Sequence, residues 1–217
     1  MEPRNEVTAI RTRRGSKRRE VELDGSPWRA VPKPVLARLG ISVGDLVDAD
    51  QVTDRIQELE PTAARERTMR LLEYRDRSEA EMRARLTGDG YSEATTDDTV
   101  IWLLDTGLLD DDRFAEQLAR SLVVGRRYGR TRSLRHLQQA GVPADVARRA
   151  LDALAPEEDE RERALVLARS LFRHGDSVER LASRLVRRGF TPSDSLAVAH
   201  SVIPQEGVDD DDRSDDC

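Results

Sequence analysis

Three carboxylates in succession, Asp110, Asp111 and Asp112, stand in "LLDDDRFAEQLARS" between an apolar pair and an amphipathic segment. Such a run either holds a hard cation or starts a helix. A cation needs oxygens converging from several directions, usually from distant segments. Adjacent residues on the first turn of a helix point about 100° apart and do not converge. Phe114, Leu118 and Leu122 follow at helical spacing, and aspartate is favoured at the N-cap and first turn, where it meets the positive end of the helix dipole. The run is read as a helix start, and Asp97-Asp98 before Val100 in the same way. His136, His174 and His200 fall in separate segments without ligand spacing, and Cys217 is the single cysteine. No metal or other cofactor is therefore expected. A Walker A loop, GxSxG and HExxH are absent, so no catalytic residue is assigned and a non-enzyme is expected.

The cationic side chains offer the stronger chemistry. Between residues 121 and 150 stand Arg126, Arg127, Arg130, Arg132, Arg135, Arg148 and Arg149 against one acid, Asp145. Residues 161–190 hold eight arginines, Arg184, Arg187 and Arg188 among them, against three acids. The front of the chain adds Arg11, Arg13, Arg14, Lys17, Arg18 and Arg19, while 91–112 carries seven acids and no base. Local excess of this kind in a chain of net charge −6 points to a polyanion or an acidic protein surface. With eight aromatics in the whole chain, base stacking has few platforms. Tyr91, Phe114, Phe190 and Trp102 are assigned to the core, and Tyr128 in "GRRYGR" is expected exposed beside arginines. Phosphate contact through guanidinium forks is the expected mode.

These residues need positioning elements. With 37% hydrophobic residues, 4% aromatic and 36% charged, thin layers of amphipathic elements are expected rather than one thick core. Residues 5–31 alternate around Val7, Ala9, Val21 and Leu23, with turn signals at Gly15-Ser16 and Asp24-Gly25. A short helix ended by Gly40, a turn at Gly44-Asp45 and a helix over 50–59 follow. From Pro61 to Ile203 the periodicity is helical and it repeats. Met82, Leu86, Gly90, Tyr91 align with Ser133, Leu137, Gly141, Val142 and with Leu181, Leu185, Gly189, Phe190. Each set reads as a helix stopped by a left-handed glycine and an apolar residue.

Apolar sets precede and follow each of these helices. Before them stand Met69/Leu72, Phe114/Leu118/Leu122 and Ala164/Leu167/Leu171. After them stand Val100/Leu103/Leu104, Val146/Ala150/Leu154 and Leu196/Ala199/Ile203, with Pro143 and Pro192 near first turns of the last helices. The reading is a mainly α chain of three tandem three-helix repeats forming an extended curved rod, preceded by a small β-hairpin-containing domain. The boundaries are 1–60 for the β/α domain, 61–108, 109–155 and 156–203 for the repeats, and 204–217 for a disordered acidic tail carrying seven acids and one arginine. No signal-peptide or spanning segment is seen, so a cytoplasmic, monomeric protein is expected.

"GLLDDDRFAEQLARS" closely resembles the most characteristic stretch of the RecX regulatory proteins. "RSEAEMRARLTGDGY" is similar to the helix of that family's first repeat, and "YGRTRSLRHLQQAGV" to the glycine, basic, L-x-x-x-G pattern that follows the characteristic stretch. "REVELDG", "VLARLG" and "GDLVD" resemble the β domain that precedes the helices in some members. The likeness covers about residues 6–203. It implies a non-enzymatic modulator that lies in the groove of a RecA-type recombinase–DNA filament and inhibits strand exchange and ATP hydrolysis. Arg126, Arg127, Tyr128, Arg130, Arg132, Arg135, Arg148, Arg149, Arg184, Arg187 and Arg188 are the expected contacts to filament and to single- or double-stranded DNA. Two other readings stand beside it. One is a transcription-type DNA-binding regulator, since "VLARLGISVGDLVD" is similar to swapped-hairpin transition-state regulators. The other is a helical-repeat scaffold for proteins that does not bind DNA.

Overall fold

The computed structural model describes residues 4–12 and 17–203. The alternation at the front of the chain becomes strands β1 (Asn5–Arg11), β2 (Arg18–Leu23) and β3 (Ser26–Pro32), with Val7, Val21, Leu23 and Val31 buried. Asp24 and Gly25 adopt φ 51° and 78°, the two left-handed positions of a tight hairpin turn. The Asp24 carboxylate accepts from Asn5 Nδ2 at 2.7 Å and from the Glu6 N–H at 2.8 Å, tying that turn to β1. Helix α1 (Lys33–Leu39) stops at Gly40, φ 69°. Gly44, φ 95°, turns the chain into β4 (Leu46–Val47), which pairs antiparallel with β1 and completes a sheet of order β3-β2-β1-β4. Nothing in the periodicity announces a two-residue strand. The turn at Gly15-Ser16, Arg13 and Arg14, and the acidic stretch 204–217 lie outside the described residues.

The rest is helical. Helix α2 (Ala49–Leu72) runs straight through Pro61, where one helix was expected to end and another to begin. Proline there deprives the Gln57 carbonyl of its donor. Ile56 on one side and Ala63, Ala64 and Leu71 on the other are buried in one core, which outweighs the lost bond. Then come α3 (Glu79–Asp89) and α4 (Glu93–Asp105), α5 (Asp111–Arg120), α6 (Arg130–Gln139) and α7 (Ala144–Leu154), and finally α8 (Glu160–Leu171), α9 (Val178–Arg188) and α10 (Pro192–Val202). The chain is thus mainly α, built of successive helix trios behind a small sheet.

The glycine stops are as expected. Gly90, Gly141 and Gly189 have φ 95°, 87° and 96°. Met82, Leu86 and Tyr91, Ser133, Leu137 and Val142, and Leu181, Leu185 and Phe190 are all buried. The Tyr91 and Phe190 N–H groups donate to Leu86 and Leu185 carbonyls at 3.2 and 3.3 Å, closing the Schellman bond. These glycines have a second reason to lack a side chain. A Cβ would sit 2.7 Å from Arg18 Cβ at Gly90, 2.7 Å from Ala80 Cβ at Gly141, and 2.3 Å from Arg132 Cβ at Gly189.

The chain forms two compact units. One runs to Phe114 and includes Ala140–Pro143; the other holds Ala115–Gln139 and the chain from Ala144 onward. In the first, the sheet shares a continuous apolar core with α2, α3 and α4. In the second, α8, α9 and α10 enclose Leu167, Leu181, Leu185, Phe190 and Val198. On several helices the inward face is shifted by one residue from the expected one. Leu71 is buried beside half-buried Leu72, with Met69 exposed; Ala115 and Ala119 are buried where Phe114 and Leu118 are half-buried. Ser195 is buried and Leu196 exposed, whereas Val100, Leu103 and Ala199 are buried as expected and Leu104 alone of its set is exposed. Alanines take the central positions because thin helical layers bring backbones close.

The three aspartates start α5, and two of them are helix caps with a division of labour. Asp110 Oδ1 accepts the Arg113 N–H at 2.9 Å and so caps α5. Asp111 Oδ1 reaches back to the Glu79 N–H, 2.8 Å away, and caps the first turn of α3 in the preceding trio. Burial lifts the Asp111 carboxyl above its ordinary pKa, and the Glu79 bond partly offsets this. Glu160, at the start of α8, does the same for the preceding trio by accepting the Arg130 N–H at 2.7 Å. Asp97-Asp98 is not a helix start. Ser92 caps α4 by accepting the Thr95 N–H at 3.3 Å, leaving Asp97 within the helix to pair with Arg83.

Candidate polyanion interface

The arginine-rich segment is placed by an irregular extension of α5. A π-helical turn, Ser121–Gly125, carries the chain to Arg126. Arg127 then adopts φ 53°, a left-handed conformation costing a non-glycine residue about 1–2 kcal/mol. Its neighbours hold it there. The Tyr128 N–H donates to the Leu122 carbonyl at 3.0 Å and the Gly129 N–H to the Arg188 carbonyl at 2.8 Å. Arg163 Nη2 donates to the Tyr128 carbonyl at 2.9 Å. A Cβ on Gly129 would lie 2.4 Å from the Gly189 backbone, so only glycine admits this approach of α9 to the loop.

Side chains complete the seam. Arg132 Nη1 donates to the Arg187 carbonyl at 2.6 Å, Arg188 Nη1 to the Arg126 carbonyl at 2.9 Å, and the Thr131 N–H to the Gly189 carbonyl at 3.2 Å. The carbonyls ending α9 thus meet donors at the start of α6, as the opposed ends of two helix dipoles favour. Tyr128 lies inside this seam. Its ring stacks on His136 (centroids 5.6 Å apart, planes 12° apart), with the Arg132 guanidinium 4.1 Å and that of Arg188 5.9 Å from its centroid. The imidazole pKa is lowered by burial, then by Arg132, Arg126 and Arg135, so three guanidinium groups project their field onto one ring.

The structure sorts the expected contact residues. Arg126, Arg127, Arg135, Arg148 and Arg187 are exposed and have no carboxylate partner among the described residues. Tyr128, expected exposed, is half-buried and covered by His136 and Arg132; a ring so engaged is not a stacking platform for a base. Arg132 and Arg188 are structural ties that remain charged. Arg130 and Arg184 turn inward. The first pairs with Asp152, and the second with Asp176 while donating to the Leu171 carbonyl at 2.8 Å. Arg149 pairs with Asp145 at 2.8 Å. Arg148 and Arg149 lie on α7, away from the Tyr128 seam in sequence.

Sequence reasoning missed His136 as the stacking partner, although its four-residue step from Arg132 was legible. It also missed Glu160 and Arg163, whose bond at 2.7 Å braces the loop from α8. Their roles depend on a turn of another trio and have no local signature. A frame that displays guanidinium groups without neutralising them can bind phosphates or carboxylates. Among the described residues, no group of three or more His, Cys, Asp or Glu could hold a metal ion, and no helix is long and apolar enough to cross a membrane.

Fold and interface together define a helical-repeat protein with a cationic seam. Two family models match, the first three-helix domain of RecX over residues 64–103 and the second over 110–151. The chain is 32% identical to the regulatory protein RecX of Mycolicibacterium smegmatis over 180 residues, 78% of this chain and 92% of that protein. It is 30% identical to that of Corynebacterium efficiens over 169 residues, 72% and 80% of the two chains. The chain belongs to the RecX family of regulatory proteins. Its fold is also that of the crystal structure of RecX from Lactobacillus salivarius, with TM-score 0.58, 18% identity, and 66% of this chain and 96% of that one covered. A further crystal structure of regulatory protein RecX, at TM-score 0.57 and 22% identity, covers 91% of this chain and 98% of its own.

Proposed function

We propose that this protein is a non-catalytic cytoplasmic regulator that binds, as a monomer, to the filament of a RecA-type recombinase on DNA and restrains its strand exchange and ATP hydrolysis. Arg126, Arg127, Arg135 and Arg187 make the contact, to phosphate or to acidic protein surface, with Arg148 extending it. Tyr128, Arg132 and Arg188 are the frame behind them. One observation carries the reading: exposed guanidinium groups without acidic partners among the described residues stand around a loop pinned by backbone carbonyls. Carbonyl oxygens order an arginine while leaving its charge available, and phosphate contacts of this kind position a protein on nucleic acid without reading its sequence.

The test is the triple reversal Arg126→Glu, Arg127→Glu, Arg135→Glu, scored by inhibition of the recombinase's DNA-dependent ATP hydrolysis. Inhibition should weaken at least tenfold with the circular dichroism spectrum unchanged; undiminished inhibition removes the surface. Arg132 is left intact because its loss opens the seam. Co-sedimentation with recombinase, with and without DNA, separates this reading from that of a scaffold indifferent to DNA.

A further inference from the structure

The chain has two lysines against 34 arginines, and both line one basin. In the first unit, an open depression of about 350 Å³ is lined by Lys17, Arg19, Lys33, Arg67, Arg70 and Asp89. Lys17 immediately precedes β2 and Arg19 lies on it, Lys33 starts α1, Arg67 and Arg70 come from α2, and Asp89 from the end of α3. Five cations thus face one carboxylate, and that carboxylate is spent: Asp89 is buried against Arg67 at 2.6 Å. Lys17 and Lys33 have no carboxylate partner among the described residues, and Arg70 has only a 3.9 Å approach to Glu66. The walls are fixed. The Lys33 N–H donates to the Lys17 carbonyl at 3.0 Å, the Tyr91 hydroxyl to the Ala63 carbonyl at 3.1 Å, and Gly90 abuts Arg18. An adjoining depression of about 310 Å³ shares Lys17 and Asp89 and adds Arg85 and Glu81. The Glu81 carboxylate is already paired with Arg75 and Arg77, so Lys17 and Arg85 carry the positive lining past a single group's width.

We propose that this basin is a phosphate site whose ligand is the sugar-phosphate backbone of a nucleic acid, a second contact on a different unit from the Tyr128 seam. Concave surfaces of one sign concentrate potential and attract counter-charge more strongly than flat ones. The continuation through Lys17 to Arg85 suits successive phosphates along a strand better than one small anion. This site does not depend on the assignment of the Arg126–Arg135 surface and stands if that assignment fails.

The variant is Lys17→Gln, Lys33→Gln, two exposed side chains outside the core, with folding verified by circular dichroism. Binding of a fluorescent oligonucleotide is measured by anisotropy across a salt series, with inorganic pyrophosphate titrated calorimetrically in parallel. Two lost phosphate contacts should lower the slope of log affinity against log salt by about 1.4–1.8 and weaken binding on the order of tenfold near 0.1 M salt. Pyrophosphate should bind the parent protein only in the millimolar range. An unchanged slope and affinity overturns the proposal. So does micromolar pyrophosphate binding abolished in the variant while oligonucleotide binding persists, which would make the ligand a small phosphate compound.

Discussion

The first trio and the seam between α6 and α9 use arginine in opposite ways. In the first trio guanidinium groups meet carboxylates: Arg75 and Arg77 with Glu81, Arg83 with Glu79 and Asp97; Arg38 on α1 likewise pairs with Glu66 on α2 at 2.7 Å. At the seam, Arg132 and Arg188 donate to the carbonyls of Arg187 and Arg126 and have no carboxylate partner among the described residues, while Arg163, paired with Glu160, braces the loop through the Tyr128 carbonyl. Both arrangements order the side chain. Only the first cancels its charge, because a carbonyl satisfies the donor and leaves the cation unpaired. A chain with nearly balanced acids and bases thereby gains a region of strong positive potential through the choice of acceptor, not through a larger number of arginines.

The contrast can be broken most severely at Gly189. Gly189→Ala places a Cβ 2.3 Å from Arg132 Cβ and forces φ 96° on an L side chain. Left-handed strain and overpacking together should cost about 3 kcal/mol, read as a fall in the urea midpoint, with loss of the stacked Tyr128–His136 geometry. The one buried acid of the seam comes next. Glu160→Ala removes the acceptor of the Arg130 N–H and of Arg163, and should destabilise by roughly 2–3 kcal/mol. Arg38→Ala, which breaks an exposed pair between α1 and α2 of the first unit, should cost under about 1 kcal/mol and lose most of that in high salt. Comparable costs for Glu160→Ala and Arg38→Ala would erase the distinction drawn between the regions.

The finest test is His136. Its pKa is held below the ordinary 6.5 by burial and by Arg132, Arg126 and Arg135. The unfolded chain therefore binds the proton more readily. The neutral ring's contribution is complete above the unfolded pKa and is lost as pH falls through the depressed folded one. His136→Gln should flatten the stability profile between about pH 7 and 5. A bound polyanion, by answering the surrounding guanidinium groups, should raise the His136 pKa, visible by NMR titration with and without oligonucleotide. A fall, or no movement, would place the anion elsewhere.

Much of this was legible in the sequence. The three glycine-stopped helices, the Asp24-Gly25 hairpin and the cap at Asp110 rest on local backbone chemistry, and local chemistry decides them. The continuation of α2 through Pro61 was not legible, because residues on both sides of the proline share a core drawn from the sheet. The inward faces of α2 and α5 were misphased because large residues were taken as core, while close helix approach selects Ala63, Ala64, Ala115 and Ala119. At the candidate site, the arginine cluster could be seen but its sorting could not. Whether Arg130 meets Asp152 or solvent depends on a helix 22 residues away, and Tyr128 is covered by His136 and Arg132 of α6, with Arg188 reaching it from α9.

Asp111 and Glu160 each cap a helix belonging to the trio before their own. A boundary drawn between trios for expression therefore severs an end-cap as well as a linker. A fragment stopping before Glu160 would leave the α6 amide exposed and Arg163 missing, fraying the very loop that the fragment was cut to isolate. Dissecting this molecule calls for point changes in the intact polypeptide, and inactivity of a shortened piece would report on unravelled ends before it reported on recognition.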